Sequence, residues 1–178
     1  MRGTQASRMV LNCVRPSWIG GRPPPPQYVK GRFSSIDNSR LIYQKRDENL
    51  GKGLVFSAPS QDPSVLVQEY GAFISPSFVR EQEGKKPRWC NNYSRLGDYE
   101  QRRSMKMETL KQMPSWAVPG MHMWEEDMEG AFNHLRFHDD DLRHFVLDCG
   151  PHPDGLPPSD SNPRFLLVQC SGHAIRLD

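Results

Sequence analysis

The sequence predicts an α+β fold: a small antiparallel sheet flanked by short helices, preceded by a long irregular arm. Three observations lead there. Short β-leaning apolar runs recur after residue 60, each bounded by Gly, Pro or polar turn residues. Short helical patterns with cap signals lie between them. The first sixty residues show neither pattern clearly.

Residues 1–60 read as a basic, Pro/Gly-rich arm, expected to be largely disordered. They carry ten Lys/Arg and three Asp/Glu. Four consecutive prolines at 23–26 favour polyproline II. Leu41, Ile42 and Tyr43 predict a short strand or a turn of helix, no more.

Residues 61–178 are expected to hold the folded domain. Residues 64–70 predict a short helix that stops at Gly71. Residues 73–79 are apolar and β-leaning, interrupted by Pro76. Glu83-Gly84-Lys85 reads as a turn, and Arg88-Trp89-Cys90 starts a returning strand. This predicts a hairpin with a basic tip. Ser104 caps a predicted helix over 105–110, before Pro114. Residues 121–124 predict a buried strand whose end carries Glu125, Glu126 and Asp127. Asp139-Asp140-Asp141 reads as a turn or helix start. Residues 145–147 and 165–168 read as strands, and 150–163 as loop.

Charge is divided along the chain. Residues 79–111 hold nine basic and five acidic side chains, whereas 121–160 hold two basic and ten acidic. A basic half can follow a phosphate backbone, and an acidic half tolerates phosphate with divalent cations between. Cys13, Cys90, Cys149 and Cys170 form no C-x-x-C pair. That argues against a zinc ribbon and fits reduced thiols in a nuclear or cytoplasmic compartment. No apolar run approaches the ~20 residues of a membrane span, so no membrane partner is expected. His134 and His138 stand at i, i+4, but the glutamate of a zinc-protease helix is missing between them.

Three blocks, in order, resemble the fingers-to-palm segment of reverse transcriptases (RNA-directed DNA polymerases). The first, Gly84-Lys85-Lys86-Pro87-Arg88-Trp89-Cys90-Asn91-Asn92-Tyr93-Ser94-Arg95-Leu96-Gly97, is similar to the fingers motif G-K-x-R-x-x-x-D-Y-R-x-L-N. The second, Lys106-Met107-Glu108-Thr109-Leu110, is similar to F-K-M-E-T-L of retroelements that integrate with a tyrosine recombinase, the DIRS group. The third, Asp127-Met128-Glu129-Gly130-Ala131-Phe132 with Asp141, Arg143 and Phe145 downstream, is similar to the palm motif D-L-x-x-A-[YF].

The resemblance implies a partial polymerase fingers/palm fold and nucleotidyl transfer by two magnesium ions. It implies Asp127 as catalytic carboxylate and Mg²⁺ ligand, with the Met128 carbonyl as a second ligand. Phe132 would gate the sugar. Arg88 would grip the incoming dNTP, and Lys85 and Lys86 would touch phosphate. Template–primer RNA or DNA would be the partner.

The sequence also departs from the family. Asn92 and Gly97 replace the usual Asp and Asn. The fingers lysine falls at Glu81, unless Arg80 takes its place by a one-residue slip. Val168-Gln169-Cys170-Ser171-Gly172 is a degraded L-P-[FQ]-G. The later [YF]-x-D-D hairpin is missing; Asp139-Asp140-Asp141 lies too near Asp127 and follows no apolar strand. The expectation is a truncated retrotransposon polymerase, inactive alone, with the last strands exposed as unpaired edges. The alternative is a non-enzymatic nucleic-acid-binding remnant.

Overall fold

A computed structural model of the chain describes residues 15–33, 35–101, 120 and 137–168. Six strands form one sheet: β1 (Gln27–Tyr28), β2 (Val55–Ser57), β3 (Phe73–Gln82), β4 (Lys85–Asn91), β5 (Val146–Asp148) and β6 (Phe165–Val168). The order is β1-β3-β5-β6-β2, with β4 paired to β3 off that path. Three helices accompany them: α1 (Ile36–Gly51), α2 (Pro63–Gln68) and α3 (Ser94–Gly97). Two 3-10 turns span Ile19–Gly21 and Asp139–His144.

The α+β class holds, but the sheet is mixed rather than antiparallel. β3 pairs β1 and β5 in parallel. The β3–β4, β5–β6 and β2–β6 pairs are antiparallel. Turn residues in a sequence specify local hairpins, whereas parallel pairing comes through long crossovers that leave no local signature.

The apolar runs at 145–147 and 165–168 do not alternate because both sheet faces are covered. Val146, Phe165 and Leu167 point to one side, against Leu66 of α2 and Leu142. Leu147 and Leu166 point to the other, against Ile42 and Tyr43 of α1. β5 and β6 are therefore interior strands, not the exposed edges expected from the sequence.

The described part of residues 1–60 is ordered and belongs to this same sheet, contrary to the disordered arm expected there. α1 is a 16-residue helix where only a turn was expected. Ser35 caps it, accepting from the Asn38 amide at 3.1 Å. Its buried residues are Ser39, Ile42, Tyr43 and Arg46, a regular i, i+3, i+4, i+7 stripe. Half of that stripe is polar, which hid it. Arg46 is buried because its guanidinium donates to Asn162 Oδ1 and to the Pro163 carbonyl, both at 2.9 Å, and lies 4.2 Å over the Tyr43 ring.

β3 runs straight through Pro76. The Ile74 carbonyl accepts from the Val29 amide, and the Pro76 carbonyl from the Asn92 amide. The proline nitrogen thus faces the gap between the end of β1 and the start of β4, where no N–H is required. α2 begins at Pro63 behind the Asp62 cap and leads to Gly71 in the left-handed region, φ +63°, near the expected stop. Gly150 is obligatory: it has φ +82°, and an added Cβ would lie 2.5 Å from the Phe33 ring. The helix expected over 105–110 and the strand over 121–124 lie outside the described residues.

The polar centre is Asp148, which is fully buried. Arg164 reaches it with two bonds, Nε to Oδ1 at 2.7 Å and Nη2 to Oδ2 at 3.0 Å. The Tyr28 hydroxyl donates to Oδ2 at 2.7 Å, and the Gly150 amide to Oδ1 at 2.8 Å. Burial, then the bond to Asp148, pushes the Tyr28 phenol up to about 12. Asp148→Asn should lower unfolding stability by about 3 kcal/mol or more, since it strands the Arg164 charge. The double variant Asp148→Leu/Arg164→Met should recover most of that loss. Urea unfolding of the three proteins checks both outcomes.

His144 is buried, and its Nδ1 has no hydrogen-bond partner. Burial, and then the neighbouring Arg143 charge, holds its pKa below the ordinary 6.5. The unfolded chain therefore takes up this proton first. The contribution of neutral His144 is complete above the unfolded pKa and is lost as pH falls below it. The melting temperature should drop more steeply between about pH 7 and 5 in the native chain than in His144→Phe.

Candidate nucleic-acid interface

The β3–β4 hairpin carries three of the residues singled out by sequence. A two-residue turn, Glu83-Gly84, closes it, with Gly84 at φ +71°. That backbone conformation is costly for any residue with a Cβ. Lys85, Lys86 and Arg88 all lie on β4 and are exposed.

The register identifies a fourth cation. Arg80 is the direct cross-strand partner of Arg88. Glu81 is the next residue along β3, so it projects to the opposite face. Of the two positions considered for the fingers cation, Arg80 is therefore the one beside Arg88. The pairs flanking this one are Val79↔Trp89 and Phe78↔Cys90. Val79 and Trp89 pack on the cluster containing Ile42 and Tyr43 of α1. Arg80 and Arg88 consequently stand on the face turned away from α1. Phe78, 40% exposed, shares that face. Sequence reading passed over Phe78, since an apolar strand residue is ordinarily core.

Register shifts between Arg80 and Gln82. Two steps along β3 match three along β4, from Lys85 to Arg88, so one extra residue lies at Lys86-Pro87. Pro87 has no N–H to give a ladder and sits at this bulge on an edge strand. The bulge re-aims Lys86 beside the arginine pair.

Like charges directly opposite across a strand pair are destabilising. None of Arg80, Lys85, Lys86 or Arg88 makes an ion pair with a described residue. The chemistry of such a surface is anion binding. Guanidinium groups offer planar, bidentate donors to phosphate oxygens, and an exposed aromatic beside them offers a stacking face. No general acid–base pair or nucleophile accompanies them on the hairpin.

Asp127, Met128 and Phe132 lie outside the described residues, as do Gln169 to Gly172 of the degraded L-P-[FQ]-G. Among the described residues, no group of three or more His, Cys, Asp or Glu can hold a metal ion. Magnesium is therefore supported only by the resemblance at Asp127. Phe137-His138-Asp139-Asp140 matches [YF]-x-D-D in letters but not in shape. It opens the 3-10 turn Asp139–His144, with His138 as the cap, and Asp140 is held by Arg15 at 2.7 Å. Cys149 is fully buried, and burial pushes its thiol up to about 12, so it is inert as a nucleophile. No described helix is long and apolar enough to cross a membrane.

No protein-family model matches this sequence, and no curated protein is recognisably similar to it.

Arg80→Thr should stabilise the free protein by roughly 0.2–1 kcal/mol, because it removes the opposed like charge and leaves a good strand former. Equilibrium unfolding in low salt measures this. A stability loss would mean that the arginine pair holds the hairpin together.

Proposed function

We propose that this chain is a fingers-to-palm portion of a reverse-transcriptase domain of retrotransposon type, and that its β3–β4 hairpin grips nucleic-acid phosphate. The observation that carries the reading is the opposed Arg80–Arg88 pair, exposed, without acidic partners, inside the sequence block that resembles the fingers motif. A structural hairpin gains nothing from that arrangement, whereas a phosphate between the two guanidinium groups turns repulsion into a bidentate clamp. Lys85 and Lys86 add backbone contacts that carry no sequence preference. Phe78 supports a neighbouring base or sugar by its apolar face.

In the same reading, Asp127 is the catalytic carboxylate and magnesium ligand, with the Met128 carbonyl beside it. Phe132 limits the sugar of an incoming dNTP. These roles rest on the motif resemblance. When bound, magnesium would supply charge stabilisation for the attacking and leaving oxygens. One family carboxylate does not hold two such ions. Asp139 and Asp140 are committed to the 3-10 turn, so the chain by itself binds without extending a primer.

Two measurements test this. The first is primer extension on a poly(A) template with Mg²⁺ or Mn²⁺, comparing the native chain with Asp127→Asn. No extension by either is expected. Extension that disappears in the variant would overturn the claim of inactivity and strengthen the polymerase reading. The second is fluorescence anisotropy with labelled single-stranded RNA over a salt series. Binding should weaken linearly in log–log form with salt. Arg80→Ala/Arg88→Ala should reduce the slope by about 1.4, or ~0.7 per phosphate contact on a single strand. Absence of binding at low salt, or an unchanged slope, would sink the proposed interface.

A further inference from the structure

The four prolines at 23–26 belong neither to the sheet nor to the basic hairpin. Each fixes its own φ near −65° and forces the residue before it out of the α region. Arg22 accordingly has φ −104° and ψ 120°, and no peptide bond is cis. The segment is polyproline II, with three residues per turn, up to the start of β1 at Gln27.

Its exposure is divided by edge. Pro24 is buried against the body, whereas Arg22, Pro23, Pro25 and Pro26 are exposed. The three-residue period sets Pro23 and Pro26 on one edge, away from the edge that Pro24 buries. The segment is also held at its far end, where the Gln27 amide donates to the Ala72 carbonyl at 3.0 Å. A ligand edge held in this way loses little conformational entropy on binding. Access is open: an added Cβ at Gly20 or Gly21 would meet nothing within 4 Å.

Two kinds of groove read such prolines. One requires P-P-x-Y, which Pro25-Pro26-Gln27-Tyr28 spells. Here the tyrosine is occupied. Its hydroxyl donates to Asp148, and its ring meets Phe165 edge-on at 6.1 Å between centroids. The other kind reads only P-x-x-P, and Pro23 and Pro26 supply it. Arg22 makes no ion pair with a described residue, and Lys30 is exposed nearby in sequence. The local charge complements an acidic rim.

We propose that the exposed edge of residues 22–26 is a docking ligand for an SH3-type module, with an aromatic-lined groove and acidic rim. The proposal is independent of the nucleic-acid interface. The test presents the full chain to a panel of purified SH3 domains, with a P-P-x-Y-reading WW domain beside them, in a fluorescence-polarisation assay. At least one SH3 domain should bind at micromolar concentration. Pro23→Ala/Pro26→Ala should weaken that binding about tenfold or more, and Arg22→Glu should weaken it as well. The exposed positions of Pro23 and Pro26 predict an unchanged circular-dichroism spectrum in the double variant, so loss of binding is not loss of fold. Failure of every SH3 domain to bind, equal binding by the double variant, or binding by the WW domain alone would overturn the proposal.

Discussion

The buried Asp148–Arg164 pair is the constraint around which the rest of this structure is arranged. A fully buried carboxylate is tolerated only if its oxygens are satisfied. Four donors do this here: two from Arg164, one from the Tyr28 hydroxyl and one from the Gly150 amide. Those donors come from the approach to β6, from β1 and from the loop after β5. One carboxylate thereby fixes three segments distant in sequence. Gly150 must lack a side chain because Phe33 occupies the space where a Cβ would be. Its carbonyl accepts from the Tyr43 hydroxyl at 2.9 Å, which brings α1 into the same assembly.

The loop between β5 and β6 is held by side chains rather than by a ladder. Arg46 binds it at Asn162 and Pro163. Gln61 accepts from the Arg164 and Phe165 amides at 2.8 and 2.9 Å, acting as a short substitute for strand pairing. These bonds satisfy backbone groups that a Pro/Gly-rich segment would otherwise leave unpaired. They also explain how a polar stripe on α1 can face the core.

The outer half of β3 has a different character. Its first residues, from Phe73 to Ser77, are buried between β1 and β5, and those beyond Phe78 run out with β4 into solvent. The hairpin is a projection from a rigid base, with an apolar pair toward α1 and a basic pair away from it. Such a projection exposes charge at little cost to the core. This division of labour is what a phosphate-gripping surface requires, and the opposed arginines are the stability concession that accompanies it.

The hairpin, the strands at 145–148 and 165–168 and the loop between them were legible because their signals are local. Glu83-Gly84 demands a turn, uninterrupted apolar runs demand burial on both faces, and clustered prolines forbid a ladder. Arg88, Lys85 and Lys86 were legible as a basic block. Arg80 was not, since choosing it over Glu81 requires the cross-strand register, and Asp127, Met128 and Phe132 lie outside the described residues. Helix α1 was missed because burial of Ser39 and Arg46 depends on partners more than a hundred residues away. The parallel pairing of β1, β3 and β5 was missed for the same reason. By itself, then, the sequence determined the elements whose backbone preferences or hydrophobic periodicity are complete within a few residues. Only the tertiary structure decided which strands lie side by side, which polar groups are buried and which cations face one another. Those outcomes depend on hydrogen bonds and charges supplied from distant parts of the chain, and no local pattern encodes them.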